Sequence, residues 1–175
     1  MKVLAFAASN STKSINRTLA QYAANLISDA QVEILDLNDY EMPLFSEDRE
    51  KELGQPEQAK RFYAKIGAAD AIIISYAEHN GTYTAAYKNL FDWTSRISQK
   101  VFQNKPMVYL STSPGAGGAA SVLGSATASA PFFAANVKAS VSVPSFYENF
   151  DLKTNEIINA DIKKNLEAAM KVLSD

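Results

Sequence analysis

The sequence predicts a doubly wound α/β domain, a five-stranded parallel sheet in the order 2-1-3-4-5 with helices on both faces. Three observations carry that expectation. Five short apolar segments (Val3–Ala8, Val32–Leu37, Ala71–Ser75, Met107–Leu110 and Val137–Val143) alternate with stretches of helical periodicity, the pattern of right-handed βαβ crossovers. The third segment, Ala71-Ile72-Ile73-Ile74-Ser75, is continuously apolar rather than alternating, so both of its faces should be covered. The stretches after segments one, three and four (Ser9–Asn16, Glu78–Thr84 and Ser111–Gly118) are small and polar. In such a sheet they meet at the carboxyl edge, outside the switch point, where ligands bind.

Taken in order, the first strand hands over to a helix whose inner face is Leu19, Tyr22, Ala23, Leu26 and Ile27. The second strand is followed by a long polar excursion from Asn38 to Gln55, interrupted by Pro43 and expected to hold a turn of helix. Pro56 opens the next helix, with Ala59, Phe62, Tyr63 and Ile66 turned inward. After the central strand, Tyr76–Thr84 reads as a loop, and a helix then presents Ala86, Leu90, Trp93 and Ile97. A small-residue helix, roughly Ala119 to Ala130, follows the fourth strand. Ile158, Ile162, Leu166, Met170 and Leu173 line the closing helix.

With 175 residues, the chain is expected to form a single domain over 1–175 with a full core. A formal charge of −2 gives no electrostatic case for nucleic acid or an anionic membrane. Zero cysteines exclude disulfides, thiol catalysis and cysteine-ligated metals, and the single histidine leaves no metal-ligand set. The start of the chain does not read as a signal peptide and no apolar run approaches the ~18 residues of a membrane span, so a cytoplasmic protein is expected.

The chemistry concentrates in the three loops. At the start of the first helix, unpaired N–H groups and their partial positive charge suit a phosphate. The hydroxyls of Ser9, Ser11, Thr12 and Ser14 and the amide of Asn16 add donors, and Lys13 adds the one full charge. Ser14 reads equally well as an ordinary N-cap in a polar turn. Nothing matches a triphosphate-binding GxxxxGK[ST]. Gly115-Ala116-Gly117-Gly118-Ala119-Ala120 matches GxGxxA, but after the fourth strand and without an acidic residue at the ribose position, so a dinucleotide site is not favoured. Glu78-His79-Asn80-Gly81-Thr82-Tyr83 offers backbone groups, an aromatic and a glycine able to take positive φ, which suits the border of a planar ring. A phosphate seat beside a ring border describes a mononucleotide with an attached ring system, and FMN fits.

Three segments also carry a resemblance. Ala8-Ser9-Asn10-Ser11-Thr12-Lys13-Ser14-Ile15-Asn16 resembles the GSxRxxSxN phosphate loop of the NADPH-dependent FMN reductase family, which includes quinone, chromate and azo-dye reductases. Tyr76–Gly81 with Lys88-Asn89-Leu90-Phe91-Asp92-Trp93 is similar to its PEYNG…LKNAIDW segment, and Ser111–Gly118 to its SxSPGxxGG loop. The resemblance implies a flavodoxin-like fold, FMN as cofactor and NADPH or NADH as co-substrate. The acceptor would be a small molecule such as a flavin or quinone, and the assembly a homodimer or homotetramer. By position it implies cofactor contacts from Ser9, Ser11, Thr12, Ser14, Ile15 and Asn16, from Glu78, His79, Asn80 and Gly81, and from Ser113 and Gly115. The chain departs from the pattern where the family's loop arginine is Ser11, its first glycine Ala8, and its PEY proline and tyrosine Ala77 and His79.

In a flavin enzyme the cofactor carries the chemistry, so no catalytic side chain is assigned. His79 is the single candidate proton donor. Trp93 is expected in the core, and Asp92 in a local pair. Among Phe132, Phe133, Phe146, Tyr147 and Phe150, some are expected exposed at a subunit interface. The alternatives are a flavodoxin-like electron carrier and a domain that has lost its flavin.

Overall fold

The computed structural model describes residues 1–173. In chain order the strands are β1 (Lys2–Ala8), β2 (Gln31–Leu35), β3 (Ala71–Tyr76), β4 (Glu78–His79), β5 (Thr82–Tyr83), β6 (Pro106–Thr112), β7 (Asn136–Val143), β8 (Phe150–Asp151) and β9 (Glu156–Ile157). The helices are α1 (Ile15–Asn25), α2 (Glu47–Leu53), α3 (Glu57–Ala68), α4 (Ala85–Ile97), α5 (Ala120–Ser129), α6 (Phe146–Asn149) and α7 (Ala160–Lys171). Five strands pair in parallel in the order β2-β1-β3-β6-β7. Counting only those five, this is the expected 2-1-3-4-5. The two other pairs are short antiparallel hairpins outside the sheet.

Strand parity builds the layers. Leu4, Phe6, Ile72, Ile74, Tyr76, Met107 and Tyr109 face α3, α4 and α5, while Val3, Ala5, Ile73, Val108 and Leu110 face α1 and α7. All six residues of β3 are buried, as its unbroken apolar run requires. Trp93 is the largest fully buried side chain, with Phe62, Ile66 and Leu166 also at 0% exposure.

Some expectations shift. Ile158 is 61% exposed and precedes Asn159, whose side chain caps α7. Tyr87, not singled out, is buried on α4, whereas Tyr63 is only half-buried. Leu37 belongs to a 3-10 turn (Leu37–Tyr40) started by the Asp36 carboxylate, so β2 ends at Leu35. The excursion after it contains α2, which buries nothing and is held by the Arg96–Glu50 ion pair at 2.9 Å. Its neighbour, the stretch 42–45, is fastened to α4. Trp93 Nε1 donates to the Pro43 carbonyl at 2.7 Å, and Asn89 donates to that carbonyl and accepts the Phe45 N–H at 2.8 Å. Asp92 pairs locally with Lys88 at 2.7 Å. No helix among the described residues is long and apolar enough to cross a membrane.

Candidate cofactor site

The ends of β1, β3 and β6 lie side by side, and one buried side chain ties them together. Asn16, 3% exposed, donates from Nδ2 to the Thr112 carbonyl at 3.0 Å. Its Oδ1 accepts the Thr112 N–H at 3.0 Å and the Ser75 hydroxyl at 2.8 Å. Both amide heteroatoms are thus engaged within the protein. The side chain expected to face a phosphate instead fastens the phosphate loop to the two neighbouring strands. A second tie runs from Thr84, whose hydroxyl donates to the Ala8 carbonyl at 2.9 Å and accepts the Tyr87 N–H as the N-cap of α4. Thr84 and Thr112 lie in the loops expected at this edge but, like Ser75, were not among the residues expected to contact a cofactor. The available signal was polar residues at the ends of otherwise apolar strands.

Above this tie, the loop Ser9–Ser14 has the form of an anion seat. Ser9 Oγ accepts the Ser11 N–H at 3.1 Å and curls the loop. Ser14 Oγ caps α1 by accepting the Arg17 N–H at 3.2 Å, which leaves its own O–H free to donate outward. Among the described residues, the backbone N–H groups of Thr12, Lys13, Ser14, Ile15 and Asn16 make no hydrogen bond. Five unpaired donors at the start of an eleven-residue helix are the chemistry a phosphate dianion needs. Lys13 is exposed beside them. Arg17 is not available, because its guanidinium donates to Asp36 at 2.7 Å. That carboxyl lies below the usual carboxylate range, chiefly through the Asn38 N–H it accepts, with Arg17 adding to the effect. Asn38 also donates to the Asn10 carbonyl at 3.1 Å, so the end of β2 buttresses the loop.

The expected loop after β3 is a tight hairpin. Asn80 and Gly81 take φ of 53° and 78°, as a two-residue turn with both central residues left-handed demands. His79, Asn80 and Gly81 are exposed, and the His79 imidazole makes no hydrogen bond among the described residues, its backbone pairing with Thr82 across the hairpin. Glu78 is committed elsewhere: its carboxylate accepts the Val122 N–H at 2.8 Å and caps α5, whose own N-cap position is Ala119 at φ 59°. That contact joins the hairpin to the third loop.

In the third loop, Gly118 takes φ 57° and packs under β7. A Cβ there would overlap the Ser142 hydroxyl, which donates to the Gly118 carbonyl, as does Ser111. The glycines of this loop therefore divide into two kinds. Gly118 admits the neighbouring strand, whereas Gly115 and Gly117 have nothing within 4 Å of a Cβ and border open space. Ser113 Oγ donates to the Gly115 carbonyl at 3.1 Å. Ser9–Ser14, the hairpin and Ser113–Gly117 follow β1, β3 and β6, which are adjacent in the sheet, so all three stand at its carboxyl edge. Their unpaired N–H groups and open glycine backbones fit a nucleotide phosphate and a planar ring.

The fold is of the doubly wound α/β class, with three small, polar loops gathered at the carboxyl edge of its sheet. Residues 1–148 match the sequence profile of the NADPH-dependent FMN reductase family. An NAD(P)H-dependent FMN reductase of Pseudomonas aeruginosa is 34% identical over 121 residues, 69% of this chain and 64% of that protein. A 2-hydroxy-1,4-benzoquinone reductase of a Burkholderia species is 34% identical over 122 residues, again 69% and 64%. The chain thus covers just under two thirds of the length of both relatives. The structure superposes on FerB, a flavoenzyme NAD(P)H:(acceptor) oxidoreductase from Paracoccus denitrificans, with a TM-score of 0.80 over 98% of this chain and 94% of that one, at 21% identity. The chain belongs to the NADPH-dependent FMN reductase family.

Proposed function

We propose that residues 1–175 form one FMN-binding domain that acts as an NAD(P)H-dependent oxidoreductase, passing hydride or electrons from NADPH or NADH to a small acceptor such as a flavin or quinone. The observation that carries this most directly is the set of unpaired N–H groups from Thr12 to Asn16, held in register with β3 and β6 through Asn16. These N–H groups, with the hydroxyls of Ser11, Thr12 and Ser14, would hold the FMN phosphate. Ser9 and Asn16 shape the loop from beneath. The backbone of Glu78, His79, Asn80 and Gly81 would border one side of the ring, and Ser113 and Gly115 the other.

When bound, FMN supplies the two-electron centre that accepts hydride from a nicotinamide and reduces the acceptor. The protein's part is to orient that ring, direct backbone N–H groups at its edge and limit water at its faces. The exposed imidazole of His79 stands at the hairpin and is the one side chain there suited to deliver a proton to a reduced acceptor. Family relatives named for FMN and for 2-hydroxy-1,4-benzoquinone support the acceptor class. A cytoplasmic location would give the enzyme its reduced nicotinamide. A homodimer or homotetramer would cover Phe132 and Tyr147, which are 71% and 60% exposed, whereas Phe146 and Phe150 are buried.

The test is an anaerobic titration of the FMN-loaded protein with NADPH and NADH. Loss of the yellow absorbance of the oxidised flavin, restored by a benzoquinone, is expected. A flavin that stays oxidised with both nicotinamides, but accepts electrons from dithionite, would make the protein a carrier instead. Light scattering on the same sample reads the subunit count.

A further inference from the structure

The face of the sheet beneath α4 and α5 contains a cavity of about 240 Å³. Its walls are aromatic, with Tyr76, Tyr83, Tyr87, Phe91, Tyr109 and Phe133 among them. Ring centroids of Tyr76 lie 5.2 Å from Tyr109, 5.5 Å from Tyr87 and 5.8 Å from Tyr83, and Phe91 meets Phe133 edge-on at 4.6 Å. The volume exists because α5, the helix opposite, contributes small side chains, Ala126 and Ser129, to the lining. At its rim stand Ser129 and the mutually paired Lys88 and Asp92, so no unpaired charge faces inward.

Three phenol hydroxyls are buried here with poor partners. Tyr76, Tyr87 and Tyr109 are 1%, 3% and 1% exposed. The hydroxyls of Tyr76 and Tyr87 are 3.5 Å apart, at the outer limit of a hydrogen bond, and the Tyr109 hydroxyl has the thioether of Met107 at 3.9 Å. Buried hydroxyls normally find a full-strength partner, whereas here one pair meets only at the limiting distance and Tyr109 has only a thioether. Burial also pushes all three phenols well above their ordinary pKa, so they remain protonated donors. What the cavity lacks is an acceptor, on a molecule flat enough to lie among ring faces and uncharged enough to leave water.

We propose that this cavity is a binding site for a small, neutral aromatic carbonyl compound of one or two rings, distinct from the FMN slot and formed whether or not FMN is present. The carbonyl oxygen accepts from the tyrosine hydroxyls, and the ring packs among Tyr83, Tyr87, Phe91 and Phe133. The size agrees: a dry apolar cavity of about 150 Å³ takes benzene, so one half as large again takes a substituted or fused ring. Tyr83 belongs both to the hairpin bordering the FMN slot and to this wall, which sets the two sites next to each other.

The experiment is calorimetric titration of the FMN-loaded and the FMN-free protein with acetophenone and with ethylbenzene, a ligand of the same shape without the carbonyl. Acetophenone is expected to bind one to one in both forms, about tenfold more tightly than ethylbenzene. Tyr109→Phe should remove most of that difference while leaving ethylbenzene unchanged. Ser129→Phe at the rim, and Ala126→Leu within, should weaken both ligands about tenfold while FMN binding and the unfolding temperature are retained. Four results would each overturn the proposal: no saturable binding, equal affinity for the two ligands, indifference to both filling substitutions, or loss of acetophenone binding when FMN is added. Ordered water alone in a crystal soaked with acetophenone would do the same.

Discussion

Asn16 and Thr112, 96 positions apart, are joined by a pair of hydrogen bonds, side-chain amide to backbone, each 3.0 Å long. The pairing resembles a rung of sheet made by a side chain. It sets the start of α1 against the end of β6, with Ser75 of β3 donating to the same amide oxygen. Replacing Asn16 with Ala would strand the Thr112 N–H and carbonyl and the Ser75 hydroxyl in a dry interior. Unpaired buried groups cost about 1–3 kcal/mol each, and partial relaxation should hold the total near 3 kcal/mol. Urea unfolding of the FMN-free protein measures it. FMN affinity should fall as well, because the seat is no longer held in register.

Ser14 separates stability from binding. Ser14→Ala loses the cap of α1, about 1 kcal/mol, and one phosphate donor. Ser14→Asp keeps a capping oxygen, so the unfolding midpoint should stay near that of the parent while its negative charge repels the phosphate. Thermal unfolding without FMN and FMN titration, run on both variants, read the two effects independently.

The two kinds of glycine in the third loop give opposite expectations. Gly118→Ala combines a left-handed backbone with overlap at Ser142 and should destabilise by about 2 kcal/mol or more. Gly115→Ala meets nothing within 4 Å and should leave the unfolding midpoint unchanged while lowering FMN affinity by narrowing the slot.

Asp36 predicts a pH dependence. Its folded pKa is lowered, first by the Asn38 N–H and further by Arg17, so the unfolded chain takes up the proton at higher pH than the folded protein. Its contribution to stability is therefore complete above the unfolded value, about pH 4, and vanishes as the pH falls through the folded value. The difference in urea midpoint between the parent and Asp36→Asn should be constant from neutral pH down to about pH 5 and shrink below it.

Much of this architecture was legible in the chain. Unbroken apolar runs such as Ala71–Ser75 mark strands covered on both faces, and the change of period at Ser14 marks the helix start. The fastening of 42–45 by Asn89 and Trp93 was not legible, because hydrogen bonds to backbone carbonyls 46 to 50 residues away leave no local pattern. Asn16 shows the same limit. Its residue type reads as a phosphate donor, and only the neighbouring strands reveal that its amide is engaged below the loop. The hairpin at Asn80-Gly81 did carry a local signal, since that dipeptide favours a two-residue turn. Its flanks are too short and polar to read as strands. Ile158 fits the helical spacing of Ile162 and Leu166 yet lies before the cap, where the periodicity no longer applies.

The most direct measurement compares FMN with riboflavin, which has the same ring but no phosphate, in equilibrium titrations of the FMN-free protein. If the bare N–H groups from Thr12 to Asn16 seat the phosphate, FMN should bind about 100-fold more tightly, near 3 kcal/mol, and Ser14→Asp should erase most of that margin. Equal affinity for the two flavins, or a margin untouched by Ser14→Asp, would contradict the account.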